Sequence, residues 1–213
     1  MLGTTLPVHT ELHQKAAIND ALGVLPREAP LLIWNDSQEL PWSNAERKEL
    51  AADPEARWLT ETFPPGAHTR PEGAGDSQAI LMLWEYQERP CKPDWPPHLD
   101  ESYPEIALRG LGSMLPGMEA YFERMPRPQL DGGYYTKTPE NRPLVGPLSV
   151  EGAYVHGAVS GYGIMSAPAL GELLAGHVTG GDLPEYADAF HPARYENPHY
   201  MDEFKDRDDL GQL

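Results

Sequence analysis

From Gly132 to Gly171 the chain reads GGYYTKTPENRPLVGPLSVEGAYVHGAVSGYGIMSAPALG. Small residues Gly157, Ala158 and Ser160 follow a short apolar segment, and Gly161 and Gly163 follow them. Glycine lets a backbone turn sharply and come close to whatever lies above it. SAPALGELLAGHVTGG then has helical character and ends in Gly180 and Gly181. A turn that opens a helix presents free N–H groups and the positive end of the helix dipole, which suits an anion or a developing negative charge. Phosphate meets that description, and so does the pyrimidine edge of a flavin, which becomes anionic on reduction. The glycines do not spell G-x-G-x-x-G, and no acidic residue follows at the ribose-binding distance. On local pattern alone they serve equally well to pack a helix tightly on a strand.

Other reactive side chains form no constellation. Cys91 is the single cysteine, which excludes an internal disulfide and any CxxC site, and it is expected to be inert. The eight histidines are scattered, so no metal site is expected. There is no G-x-S-x-G elbow, so Ser160 is a poor nucleophile. His13 and Lys15 share one strand face by parity and are expected to meet water, and His68 and Arg70 in HTRPEG are read similarly.

The elements that must position these residues follow from periodicity and punctuation. Strands are expected over residues 6–18, 31–34, 79–86, 131–138 and 153–159. Ser43 with Glu46, and Ser102 with Glu105, read as capping boxes. The first helix is expected to run to about Ala52. The second carries Ile106, Leu108, Leu111, Met114 and Leu115 on one apolar face, ends at Pro116-Gly117, and is followed by a short helix over Met118–Arg124. The last strand, turn and helix form a βα unit, as in nucleotide-binding sheets.

TPENRPLVGP, then a strand, then VSGYGIMSAPALGELLA, resembles the C-terminal signature of the D-amino-acid oxidase and sarcosine oxidase superfamily of FAD-dependent oxidoreductases. ELHQKAAIND, APLLIWNDSQELPWS and HTRPEG look like a bacterial and plant subgroup of it. The resemblance implies an α+β fold: a mixed, mainly antiparallel substrate-domain sheet with helices, plus the C-terminal strand–turn–helix of an FAD-binding α/β domain whose N-terminal Rossmann part is absent. It places a substrate lobe at residues 1–130, the flavin-domain part at 131–182 and an acidic tail at 183–213. That tail region, rich in Asp and Glu, is expected to be a solvated, partly disordered end.

By the same resemblance Ser160, Gly161, Tyr162, Gly163, Ile164 and Met165 contact FAD, and Tyr135, Lys137 and Arg142 face the substrate. No catalytic residue is assigned. Gly133 occupies the position of a flavin-linking cysteine in some relatives, so the FAD is non-covalent. Met165 stands where sarcosine oxidases carry a carboxylate-holding lysine, which argues against a sarcosine-like substrate. The implied activity is oxidation of an amine or amino-acid C–N bond by hydride transfer to flavin.

No G-x-G-x-x-G segment for the ADP half of FAD occurs in the chain. Met1 is therefore expected to match an internal methionine of a longer polypeptide. The chain is expected to be inactive and to hold FAD weakly or not at all by itself, with Leu170, Leu173, Leu174 and Val178 partly bare. Two other readings stay open: a binding module that needs an N-terminal FAD-binding partner chain, and a non-enzymatic acidic structural remnant. The net charge of −17 argues against nucleic acid and anionic membranes. No segment has the roughly 18–20 apolar residues of a membrane span, and no secretory signal is visible, so a cytoplasmic setting is expected.

Overall fold

The computed structural model describes residues 3–87 and 89–205. In chain order its regular elements are β1 (His9–Asn19), β2 (Leu32–Trp34), β3 (Gln38–Glu39), α1 (Asn44–Ala52), β4 (Thr62–Phe63), β5 (Ala67–Pro71), β6 (Ala79–Leu83), α2 (Tyr103–Gly112), β7 (Gln129–Lys137), β8 (Leu144–Pro147), β9 (Tyr154–Gly157) and α3 (Gly163–Thr179). They fall into two compact units built from interleaved segments. The sheet unit holds His13–Glu88 and Asp94–Gly133, and the turn unit holds Met1–Leu12, Arg89–Pro93 and Tyr134–Leu213.

The sheet order is β2-β5-β6-β1-β7. The β1/β6, β2/β5 and β5/β6 pairs are antiparallel. This is the expected α+β class with a mainly antiparallel sheet. Side chains alternate across a strand, so the register sorts two faces. Ala16, Ile18, Ile80, Met82 and Trp84 go to the core. Their alternates face the other way.

The core face meets α2. Nine of its ten residues are buried, from Tyr103 to Gly112, with only Glu105 exposed. This corrects the expectation of a one-faced amphipathic helix. Arg109 is buried too, because its charge is matched. Its guanidinium donates to Glu46 at 2.8 Å and Glu105 at 3.0 Å, and lies over the Trp42 ring at 3.8 Å. The Ser43–Glu46 capping box forms as expected. The Ser102–Glu105 box does not. Ser102 is already helical in conformation, and its hydroxyl donates to Asp100 Oδ1 at 2.6 Å. α2 ends at Gly112, before the expected Pro116-Gly117, and the expected separate short helix follows as a 3₁₀ turn over Pro116–Tyr121.

In the turn unit β8 and β9 form an antiparallel hairpin against which α3 packs. β8 lies within TPENRPLVGP and was not anticipated. Helix α3 ends as the glycine pair predicts, with Gly180 left-handed at φ 67°. Leu170 and Leu173 are buried with Val145 and Ala187, alongside partly buried Val159, Leu174 and Phe190. The expected exposure of Leu170 and Leu173 is thus corrected; Leu174 is partly exposed and Val178 is 53% exposed, as expected. Ala187 and Phe190 belong to the region read as a solvated tail. That region folds, over the described residues, into 3₁₀ turns at Ala187–Ala189, Pro192–Glu196 and Tyr200–Phe204. Residues 206–213 of the expected tail lie outside the described residues.

Gly110 tests the α2–sheet packing. A Cβ there would stand 2.3 Å from Trp84 Cζ3, and Trp84 is 2% exposed. Alanine gains up to about 1 kcal/mol of helix propensity. Shifting a buried indole costs more, so Gly110→Ala is expected to lower stability by about 1–3 kcal/mol net. Urea unfolding midpoints check this, and an unchanged midpoint contradicts the packing described.

Candidate functional site

In the turn unit, the segment between β9 and α3 is left-handed at three residues out of five. Ala158 has φ 56°, Ser160 φ 49° and Gly161 φ 90°. For Ala and Ser this costs about 1–2 kcal/mol each, so neighbours must hold the turn. Ser160 N–H donates to Thr136 O at 3.3 Å, and the Ser160 hydroxyl donates to Asn141 Oδ1. Tyr162 N–H donates to Val159 O at 2.7 Å. Asn141 is itself left-handed at φ 59°. Its loop is closed by Thr138, whose hydroxyl accepts from Arg142 N at 2.9 Å and donates to Arg142 O at 2.7 Å.

One more layer fixes that loop. Glu140 is 3% exposed and meets Arg194, which donates from Nε at 2.9 Å and from a terminal nitrogen at 2.6 Å. Tyr195 and Tyr200 hydroxyls also donate to the carboxylate, at 2.5 and 3.1 Å. Arg194 further donates to the carbonyls of Phe190 and Arg142. Burial pushes the Glu140 carboxyl up, but the Tyr195 and Arg194 hydrogen bonds and the Arg194 charge outweigh it, and the net shift is downward.

The turn delivers α3 with no side-chain cap at Tyr162. The first N–H groups of the helix are therefore left for solvent or a ligand. Beside them Ile164 is 94% exposed and Met165 72%. Adjacent bare apolar side chains at an uncapped helix start fit the flat, partly anionic edge of a flavin. Ser160 differs from the other five expected flavin residues. It is buried and its hydroxyl serves Asn141, so its part is to shape the turn.

The expected substrate residues do not gather. Tyr135 and Lys137 share one side of β7 by parity. Lys137 is 3% exposed and its Nζ lies 2.8 Å from Glu11 Oε2. Arg142 lies over the Phe204 ring at 4.9 Å, turned toward the tail. Sequence reasoning missed Glu140, Arg194, Tyr195 and Tyr200. The usable signal was the aromatic content around Arg194: Tyr186, Phe190, Tyr195, Tyr200 and Phe204 are too many rings for a solvated end.

In the sheet unit the face away from α2 carries His13, Lys15, Leu83, Glu85, His68 and Arg70. His13 and His68 were expected to meet water, yet they are 9% and 7% exposed. His13 Nδ1–H donates to Glu85 Oε1 at 2.7 Å. His68 Nδ1–H donates to Gly66 O at 2.7 Å. Burial lowers the His68 pKa, and the nearby Arg70 charge adds to that. The Gly66 bond and the Glu85 charge oppose it. Among the described residues no group of three His, Cys, Asp or Glu could hold a metal ion, and no helix is long and apolar enough to cross a membrane.

Two solved structures share this architecture. Iminodiacetate oxidase from Chelativorans sp. BNC1 aligns with a TM-score of 0.54 at 17% identity, over 90% of this chain and 41% of that one. Fructosyl amine:oxygen oxidoreductase (Amadoriase I) from Aspergillus fumigatus aligns with a TM-score of 0.56 at 13% identity, over 92% and 40%. The chain thus shares the fold of these two oxidoreductases. A curated relative, the tRNA 5-methylaminomethyl-2-thiouridine biosynthesis bifunctional protein MnmC of Aeromonas salmonicida, is 32% identical over 122 residues, 49% of this chain and 16% of that protein. The chain thus spans less than half of the two solved relatives and about a sixth of the curated one. No family model matches it.

The Glu140 cluster yields a test with a definite sign. Glu140 has a lowered pKa in the fold, so its contribution is present above its usual value near 4.5 and is lost as pH falls through the folded value. Glu140→Gln leaves Arg194 buried without its counter-charge and is expected to cost about 3–5 kcal/mol at neutral pH. The cost shrinks as pH falls below about 4.5, and it is gone only once the folded wild-type carboxyl, held below that value, protonates as well. Hydrogen exchange at residues 187–204 against pH reads this, and equal protection in both proteins at pH 7 contradicts the anchoring role.

Proposed function

We propose that this chain is the substrate-lobe and flavin-capping part of an FAD-dependent oxidoreductase that oxidises a C–N bond of a small amine. The observation that carries this is the turn before α3. It is strained, externally braced, uncapped and flanked by bare Ile164 and Met165, within a fold shared with two amine-oxidising enzymes.

The chain's own residues would do the following. Thr138, Glu140 and Asn141 hold the turn in its left-handed form. Gly161 lets the backbone approach the ring system. The N–H groups of Gly163, Ile164 and Met165, with the α3 dipole, point positive charge at the pyrimidine edge. Ile164 and Met165 shut water out beside it. FAD, when bound, supplies the acceptor for the hydride from the carbon that bears the nitrogen. The chain contains no G-x-G-x-x-G turn of the kind that would bind its ADP half. That segment must come from another polypeptide or another region of a longer one.

Two outcomes are expected. The purified 213-residue chain is colourless and shows no saturable FAD binding at micromolar concentration. Combined with a strand–G-x-G-x-x-G–helix segment of a homologous oxidoreductase, it retains flavin absorbance through gel filtration. In that assembly Met165→Glu puts an anion at the helix start and weakens FAD retention by about tenfold or more. Met165 is exposed, so melting of the chain alone should not change. Flavin retained equally by the Met165→Glu assembly, or by neither assembly, overturns the reading.

A further inference from the structure

The sheet unit carries a second arrangement, on the face turned away from its core. Lys15, Leu83, His68 and Ile33 lie side by side across β1, β6, β5 and β2 by strict register. His13 and Glu85 extend the same face by alternation, and their bond confirms it. Leu83 is half-buried and Ile33 is 39% exposed. The face is therefore a partly apolar floor with buried ionisable groups set into it. A face left only to water would not bury two histidines beside a glutamate.

The hydrogen bonds define which groups are spent. Arg70 is ion-paired with Glu72 at 2.7 Å, and Lys15 with Asp131 at 3.2 Å. Both cations on this face are matched by carboxylates. His13 is bonded to Glu85. His68 differs. A carbonyl can only accept, so the bond to Gly66 O places the proton on Nδ1. In the neutral ring Nε2 then carries the lone pair, and it has no hydrogen-bond partner among the described residues. The unspent polar atom on this face is an acceptor, held in one tautomer close to the charge of Glu85.

The geometry points to His68 Nε2 as the atom that accepts an N–H from a primary or secondary amine, with the Glu85 carboxylate selecting the cationic or polarised end of that ligand. This rests on the amine-oxidising reading above and narrows its substrate class. On this face the amine nitrogen is recognised and, among the described residues, Lys15 and Arg70 are already ion-paired, so an amine without an α-carboxylate is the class it fits. Arg70, Lys15, His13, Glu72 and Asp131 are the other charged or titratable groups of the neighbourhood, and each has a partner already. Alkyl substituents on the amine would lie on Leu83 and Ile33.

The test uses the whole chain without flavin. Imidazole Cε1–H signals of histidine-labelled protein are followed by NMR at pH 7.5 during titration with n-butylammonium, tetramethylammonium or butyrate. The first has N–H donors, the second is a cation without them, and the third is a carboxylate. Butylammonium is expected to shift the His68 signal saturably, with an apparent affinity about tenfold or more above either control. His68→Asn keeps an N–H near the Nδ1 position for Gly66 and removes Nε2. It should abolish the accompanying response of His13. His68→Gln places its polar group near Nε2 and should retain part of that response, which separates loss of the acceptor from loss of fold. The inference is overturned if tetramethylammonium or butyrate binds as well as butylammonium, if no probe gives a saturable shift, or if His68→Asn responds like the wild type. Flavin retention is not needed for any of these readouts. If the chain binds amine but its assembly with the G-x-G-x-x-G segment retains no flavin, this inference stands and the oxidoreductase reading falls; the reverse result does the opposite.

Discussion

The turn unit depends on a buried ion pair, Glu140 with Arg194. A carboxylate and a guanidinium removed from water cost several kcal/mol each, and only dense compensation makes this tolerable. Here the compensation is nearly complete. Glu140 accepts from Arg194, Tyr195 and Tyr200, and Arg194 also donates to the carbonyls of Phe190 and Arg142. The pair joins a turn at residues 138–142 to a segment more than fifty residues later. Through Asn141 it then braces Ser160 and the left-handed turn that starts α3. Backbone strain at Ala158 and Ser160 persists because this network over-determines it.

The sheet unit rests on a different constraint, the period of two along its strands. One face must be apolar enough to bury α2 almost whole, and Ala16, Ile18, Ile80, Met82 and Trp84 provide that. The alternate positions are then released from packing and can carry ionisable groups. His13, Glu85 and His68 sit there, still shielded by half-buried neighbours. A register slip of one residue would exchange the two sets. The placement of the histidines therefore follows from the same alternation that builds the core.

How much of this was legible varies with the range of the interaction. The Ser43 capping box, the glycine end of α3 and the strands at 9–19 and 79–83 rest on local signals, and they form where the residues indicate. The Ser102 box has the same spelling yet fails, because Asp100, two residues upstream, captures the serine hydroxyl first. The burial of Arg109 depends on Glu46, sixty-three residues away, which no local pattern reveals. The tail misleads for a related reason. Its acidic composition suggests solvation, whereas one arginine and several aromatic rings suffice to fold it back. Composition averages over a segment, and burial is decided by the few side chains that find partners.

The two runs that carry the superfamily resemblance can now be divided by physical role. Within TPENRP the side chains of Thr138, Glu140 and Asn141 are all turned toward the protein itself, and within VSGYG the hydroxyl of Ser160 joins them. These residues build a turn; none is left over to touch a ligand. What faces outward is backbone N–H at the start of α3, with Ile164 and Met165 as cover. Backbone groups are indifferent to side-chain identity, so such outward-facing positions leave little trace in the sequence, and the recognisable letters mark the scaffold. This explains how the flavin resemblance can be clear while the substrate residues inferred from it scatter: Lys137 to Glu11, Arg142 to Phe204. The motif specifies how the turn is held.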